Sequence, residues 1–198
     1  MTMLILASAS SIRAKLLREA GVRFGVRPPD MDEADVKGEL RTKGIAHDAF
    51  ADALAEAKAL NVSEASPQAL VLGCDQVLVC GDRLFDKARD IEEARETLAF
   101  LRGRDHHLIT ACVLAQAGKP VWRYAERATL TMRAFSDGFL DGYLKDEGRL
   151  VLGAVGCYQL EGRGAQLFDK IAGDFFCVLG LPLLPLLAAL RERGIVAA

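Results

Sequence analysis

The sequence has no surplus of charge of either sign, no apolar run long enough to cross a bilayer, no Cys-x-x-Cys pair and only three histidines. Each absence closes a class of function. Lys and Arg number 25 against 27 Asp and Glu, a net charge of −2. Nothing therefore draws the chain to a polyanion over long range, and any phosphate must be held by local contacts. The longest greasy stretch, Val178 to Leu190, is too short for a span and carries Pro182 and Pro185. The first apolar run, Met3 to Leu6, is too short for a signal-peptide core and has no basic flank. The expectation is a soluble, cytoplasmic protein with no membrane and no nucleic-acid partner. Five scattered cysteines (Cys74, Cys80, Cys112, Cys157, Cys177) argue against a zinc site or disulfide framework and for a reducing compartment. His47, His106 and His107 have no metal-ligand spacing, and His106-His107 reads as surface at the head of a strand. No Walker-type phosphate loop, no Gly-x-Gly-x-x-Gly and no Gly-x-Ser-x-Gly is present, so a Ser–His–Asp hydrolase is disfavoured.

What is there is an ordinary globular composition. The 198 residues are 51% apolar and 26% charged, enough for one domain, 1–198, with a substantial core. Strand-like and helix-like patterns alternate without repeats or low-complexity linkers. Phe24 to Arg27 reads as a strand ending at Pro28-Pro29, followed by an acidic loop over Asp30 to Asp35. A helix pattern covers roughly Ile45 to Leu60, with Phe50 and Leu54 on its apolar face. Ala69 to Val79 is an apolar run interrupted by Gly73-Cys74-Asp75-Gln76, and Gly81-Asp82 marks a hairpin into Leu84-Phe85. Asp90-Ile91-Glu92-Glu93 has the form of a capping box, opening a helix that closes at Gly103. Leu108 to Gln116 and Val121 to Met132 are strands around Gly118-Lys119-Pro120. Ser136 caps a helix to about Lys145, Gly-rich strand material fills 151 to 172, and Pro182 opens the last helix. The class is α/β with a mixed sheet flanked by helices.

Chemistry concentrates at a few points. Leu6-Ala7-Ser8-Ala9-Ser10-Ser11-Ile12-Arg13 joins the first strand to an amphipathic helix that stops at Gly21. Free N–H groups and the positive dipole end at such a helix start suit an anion. Ser8 and Ser10 add hydroxyls, and Arg13 adds a planar cation one turn in. A plain Ser cap is the competing reading. Asp75 lies inside an apolar strand-like run, where an unpaired carboxylate costs several kcal/mol. Either a cation pairs with it, the strand opens into a cleft, or a bulge supplies backbone donors. Asp30, Asp32 and Glu33 offer oxygen ligands to a hard divalent cation, though acidic loops are commonly just solvated. Lys58 and Lys87, taken singly, read as surface lysines.

In combination these pieces resemble the Maf family of nucleotide pyrophosphatases. The shared pattern runs from Leu4 to about Gly194. It comprises Leu-Ala-Ser-x-Ser-x-x-Arg at 6–13, Gly21-x-x-Phe24, Asp-x-Asp-Glu at 30–33 and Ala-x-x-Lys at 55–58. Gly-x-Asp-Gln-Val at 73–77, Lys87, Glu93-Ala94, Thr110, Tyr158 with Glu161-Gly162, and Gly180-Leu181-Pro182-Leu183 complete it. The resemblance implies a two-lobed α/β fold with a cleft for a nucleoside triphosphate, cut between the α and β phosphates with a divalent metal (Mg²⁺ or Mn²⁺). It implies that Ser8, Ser10 and Arg13 hold the triphosphate, that Glu33 and Asp75 gather the metal, and that Asp75 is the general base. Lys58 and Lys87 would stabilise charge on the phosphate oxygens, and a homodimer is implied.

Three positions separate the family's subgroups. Gln76 and Glu161 resemble the subgroup acting on 7-methylguanosine triphosphate, and a carboxylate at 161 can accept from the N1–H and N2–H₂ edge of guanine. That subgroup places Trp where this chain has Ile12, which offers apolar contact in place of an aromatic face. Ser11 replaces the usual Pro, and Asp86-Lys87-Ala88 replaces Gly-Lys-Pro. The enzyme reading is a house-cleaning pyrophosphatase for modified or non-standard purine nucleotides. The alternative is a nucleotide-binding regulator of cell division with little turnover. A phosphotransferase using Ser8 or Ser10 lacks any neighbouring base.

Overall fold

The computed structural model describes residues 2–197. In chain order the elements are β1 (Leu4–Ala7), α1 (Ser11–Glu19), β2 (Phe24–Val26), α2 (Glu33–Thr42), α3 (His47–Glu64), β3 (Leu70–Cys80), β4 (Arg83–Phe85), α4 (Ile91–Leu101), β5 (Asp105–Gln116), β6 (Lys119–Met132), α5 (Asp137–Glu147), β7 (Phe168–Ala172), α6 (Phe175–Val178) and α7 (Leu183–Glu192). Two 3₁₀ turns, Gly148–Gly153 and Arg163–Leu167, lie between α5 and β7. The fold is mixed α/β, with seven strands in one sheet, as expected. Its order is β2-β1-β3-β5-β6-β7, and β4 pairs with β3. β1 runs parallel to β2 and β3, with Ala7 opposite Gly73, whereas β4 and β7 pair antiparallel to their neighbours.

The chain forms two compact units. The first comprises Met1–Gln76, Thr110–Glu126 and Leu179–Ala198; the second comprises Val77–Ile109 and Arg127–Val178. In the first unit every residue of β1 is buried, and Ile5 and Ala7 pack with Val62, Ala69 and Val71. Leu54 on α3 is fully buried, a contribution of roughly 1.5–3 kcal/mol. In the second unit α4, α5 and the first 3₁₀ turn pack together over Leu98, Leu101, Leu140, Tyr143 and Val151.

Local chemistry accounts for most boundaries. Asp90 caps α4, accepting from the Glu93 N–H at 2.8 Å, and Ser136 caps α5 through the Phe139 N–H at 3.2 Å. Two readings need correction. The acidic stretch is not a loop throughout, because α2 starts inside it. The Asp32 carboxylate accepts from the Ala34 N–H at 2.8 Å and from the Asp35 N–H, so it is spent as a helix cap. The Gly-rich stretch 151–172 is strand only over Phe168–Ala172; the rest is turn and 3₁₀ structure. All five cysteines are buried, and none forms a disulfide. Among the described residues no helix is long and apolar enough to cross a membrane.

Candidate active site

β1 delivers Ser8 directly onto the start of α1. Ser8 is buried, and its hydroxyl accepts from the Ser10 N–H and from Arg13 Nη1, both at 3.2 Å. Ser10 is the N-cap of α1, accepting from the Arg13 N–H at 3.4 Å. The N–H groups of Ser11 and Ile12, like those of any helix start, have no intrahelical acceptor. The two serines and Arg13 thus form one hydrogen-bonded turn with N–H groups to spare.

Arg13 reaches beyond that turn. Its Nη1 donates to the Cys74 carbonyl at 3.0 Å and its Nε to the Gly180 carbonyl at 2.7 Å. Gly180 has φ +94°, a backbone conformation that side chains with a Cβ avoid, and a Cβ there would stand 3.5 Å from Arg13 Nε and Nη2. The sequence reading contained Gly180 only as part of a motif; its carbonyl is what orients Arg13.

One residue beyond Cys74 stands Asp75, buried as its sequence context demanded. The cation it required is Lys58, whose Nζ lies 2.5 Å from Asp75 Oδ1 and 2.6 Å from Glu33 Oε2. Lys58 is buried on α3 and is not a surface lysine. Gly73 makes this pairing possible. A Cβ there would stand 2.1 Å from the Ala55 carbonyl oxygen and 2.8 Å from the Ala59 Cβ, so only glycine lets α3 seat on β3. Three residues after Lys58, and therefore on the same face of α3, Asn61 clamps the Asp30 backbone. It accepts from the Asp30 N–H at 2.9 Å and donates to the Asp30 carbonyl at 3.1 Å. That clamp sets where α2 begins and brings Glu33 onto Lys58.

Glu33 has a second cation that sequence reasoning missed. Lys37, one turn along α2, lies 2.9 Å from Glu33 Oε1. Burial alone would raise the Glu33 carboxyl; the ammonium groups of Lys58 and Lys37 outweigh it and bring its pKa to about 2. The i,i+4 spacing was a usable signal once 33–42 is read as helix.

Gln76 follows Asp75 on the strand and so projects from the opposite face of the sheet. Its Nε2 donates to Thr110 Oγ1 on β5 at 2.8 Å, and one step along the same face the thiols of Cys74 and Cys112 are in contact. Ile12 is half-buried on the first turn of α1. All of these residues belong to the first unit.

Lys87 and Glu161 belong to the second unit, and both are exposed. Lys87 follows β4. Glu161 sits in the turn after Tyr158, and Tyr158 is an anchor, not an exposed contact. Its hydroxyl meets His106 Nε2 at 2.8 Å, and its ring packs edge-on against Phe168 at 4.8 Å. The surface reading of His106 is therefore corrected: it is fully buried beneath Tyr158, while His107 is half-buried. Burial holds the His106 imidazole neutral, with its pKa lowered to about 4.

Among the described residues no group of three or more His, Cys, Asp or Glu side chains is arranged to hold a metal. What the first unit offers is two carboxylates, Glu33 and Asp75, converging on one ammonium. That donor set fits a hard divalent ion whose other ligands are phosphate oxygens and water.

A family model described as Maf-like protein matches residues 3–193. The chain belongs to the Maf family. It is 50% identical over 190 residues to a nucleoside triphosphate pyrophosphatase of Granulibacter bethesdensis, covering 96% of each chain. It is 48% identical to a 7-methyl-GTP pyrophosphatase of Brucella abortus, again over 96% of each. A Mesorhizobium japonicum protein of the same name is 48% identical over 98% of this chain and 97% of its own. The Maf segments at 6–13, 30–33, 55–58 and 73–77, read from sequence, are those the structure assembles in the first unit.

Proposed function

We propose that the chain hydrolyses a nucleoside triphosphate between the α and β phosphates, releasing nucleoside monophosphate and pyrophosphate, with a preference for a modified purine such as 7-methyl-GTP. The observation that carries this reading is the convergence of Glu33 and Asp75 on Lys58, one residue from the carbonyl that Arg13 grips. Relatives sharing 48–50% identity over nearly the whole chain bear the names of that activity. Arg13, Ser8, Ser10 and the first N–H groups of α1 hold phosphate oxygens. Asp75 accepts the proton of the water that attacks phosphorus. Lys58 stabilises the negative charge that builds on the phosphate oxygens as the bond breaks. Glu33 and Asp75 would hold a divalent cation, which would supply counter-charge to the phosphates and activation of the attacking water. Lys87 and Glu161 take their roles, phosphate charge and the base edge, from the Maf motifs; Gln76 and Ile12 take theirs as specificity positions in the same way.

The test is release of pyrophosphate in Mg²⁺ or Mn²⁺ across 7-methyl-GTP, GTP, UTP, dTTP and CTP. One pyrophosphate per monophosphate is expected, fastest with the methylated purine. Orthophosphate as the product overturns the reading, and tight nucleotide binding without product shifts it to a regulatory module. Glu161→Gln is expected to move preference away from guanine bases; an unchanged profile removes Glu161 from recognition.

A further inference from the structure

We infer that the Lys58 ammonium holds the place of the divalent cation in the free protein, so that metal binds only together with the triphosphate. This rests on the reading above, in which Glu33 and Asp75 are the protein's metal ligands.

Three observations carry it. First, Lys58 Nζ lies within 2.6 Å of Glu33 Oε2 and at 2.5 Å from Asp75 Oδ1. A cation bridging those two oxygens needs the same space. Second, the carboxylate oxygens a dication would take already carry cations: Lys58 lies on Glu33 Oε2 and Asp75 Oδ1, and Lys37 on Glu33 Oε1. An added dication must displace Lys58, and that ammonium then needs another anion to go to. Third, no third metal-ligating side chain joins the pair among the described residues. Magnesium bound by only two protein carboxylates takes the rest of its shell from water and substrate phosphates. The triphosphate thus supplies both missing parts, oxygens for the metal and an anion for the displaced ammonium.

The residue types suit the exchange. Lysine carries a compact charge on a flexible four-carbon stem, so its ammonium can change partner while the stem stays packed. Glu33 uses its two oxygens separately, with Oε1 on Lys37 at 2.9 Å and Oε2 on Lys58. Lys37 therefore keeps the carboxylate oriented while Oε2 passes from ammonium to metal. Lys37 is a positioning residue in this scheme.

Manganese(II) titration, followed by the electron paramagnetic resonance of free Mn²⁺, tests this without turnover. The wild-type protein alone is expected to bind Mn²⁺ only in the millimolar range, and to bind it much more tightly once a non-hydrolysable α,β-methylene triphosphate is present. Lys58→Met, its fold checked by circular dichroism, is expected to bind Mn²⁺ without nucleotide about ten-fold or more tightly than wild type. Tight Mn²⁺ binding by the wild-type protein alone overturns the inference, as does a folded Lys58→Met with unchanged affinity. Should Lys58→Met not fold, the two wild-type titrations decide the matter. Pyrophosphate release by the wild type with tight nucleotide-free Mn²⁺ binding defeats the inference and leaves the function standing. No release from any nucleotide defeats the function instead.

Discussion

At the scale of single residues, burial is what turns ordinary side chains into chemistry. Asp75 announced itself in sequence because an acid inside an apolar run needs a partner, and Lys58 meets that need at 2.5 Å. Asp75→Asn is expected to lower kcat by roughly 10²–10⁴ if the carboxylate is the base; pyrophosphate release under saturating nucleotide measures it, and near-wild-type kcat removes Asp75 from the chemistry. His106 was illegible because its partner, Tyr158, is 52 residues away and nothing local marks the pair. Its buried imidazole titrates near 4 when folded and near 6.5 in an unfolded chain. The unfolded state therefore binds the proton first as pH falls. The stability His106 contributes is complete above about 6.5 and is lost progressively toward 4, at most about 3 kcal/mol. Urea unfolding at pH 7, 5.5 and 4 should show that loss in wild type. In His106→Gln the slope from this group should vanish; persistence of the whole slope assigns it elsewhere.

At the scale of elements, legibility followed the strength of local signals. β1, α1, the β3–β4 turn and the capped α4 and α5 were readable because alternation, Ser or Asp caps and closing glycines agree there. The acidic stretch Asp30 to Asp35 reads as a loop in sequence, whereas α2 starts inside it: Asp32 is a cap and the Asp30 backbone is pinned by Asn61 from another helix. The 151–172 region reads as Gly-rich strand material in sequence, but only Phe168–Ala172 is strand. The glycines instead permit close packing within a turn, as at Gly164, whose Cβ would stand 2.4 Å from the Gln159 carbonyl oxygen. The seating of α3 on β3 yields a sharper prediction. Gly73→Ala is expected to cost about 1–3 kcal/mol or more through overpacking and to push Lys58 off Asp75. Its thermal midpoint and its pyrophosphate release should fall together; a stable, fully active variant contradicts the packing argument.

At the scale of the whole molecule, Glu33 and Asp75 already have cationic partners in Lys37 and Lys58, so the fold is expected to stand without a metal. Exhaustive chelation is expected to abolish pyrophosphate release while moving the thermal midpoint by no more than about 2 °C, since loss of 1 kcal/mol in a chain of this size moves it by about that much. A large fall in midpoint on chelation, reversed by Mg²⁺, makes the ion a structural element.

The guanidinium of Arg13 has a further consequence, for synthesis. One of its acceptors, the Gly180 carbonyl, comes 167 residues later in the chain. During translation, where folding proceeds from the amino end, Arg13 lacks that acceptor until residue 180 has been added, although Ser8 and Cys74 are made long before. A polypeptide stopped short of residue 180 is thus left with a guanidinium held from two sides instead of three.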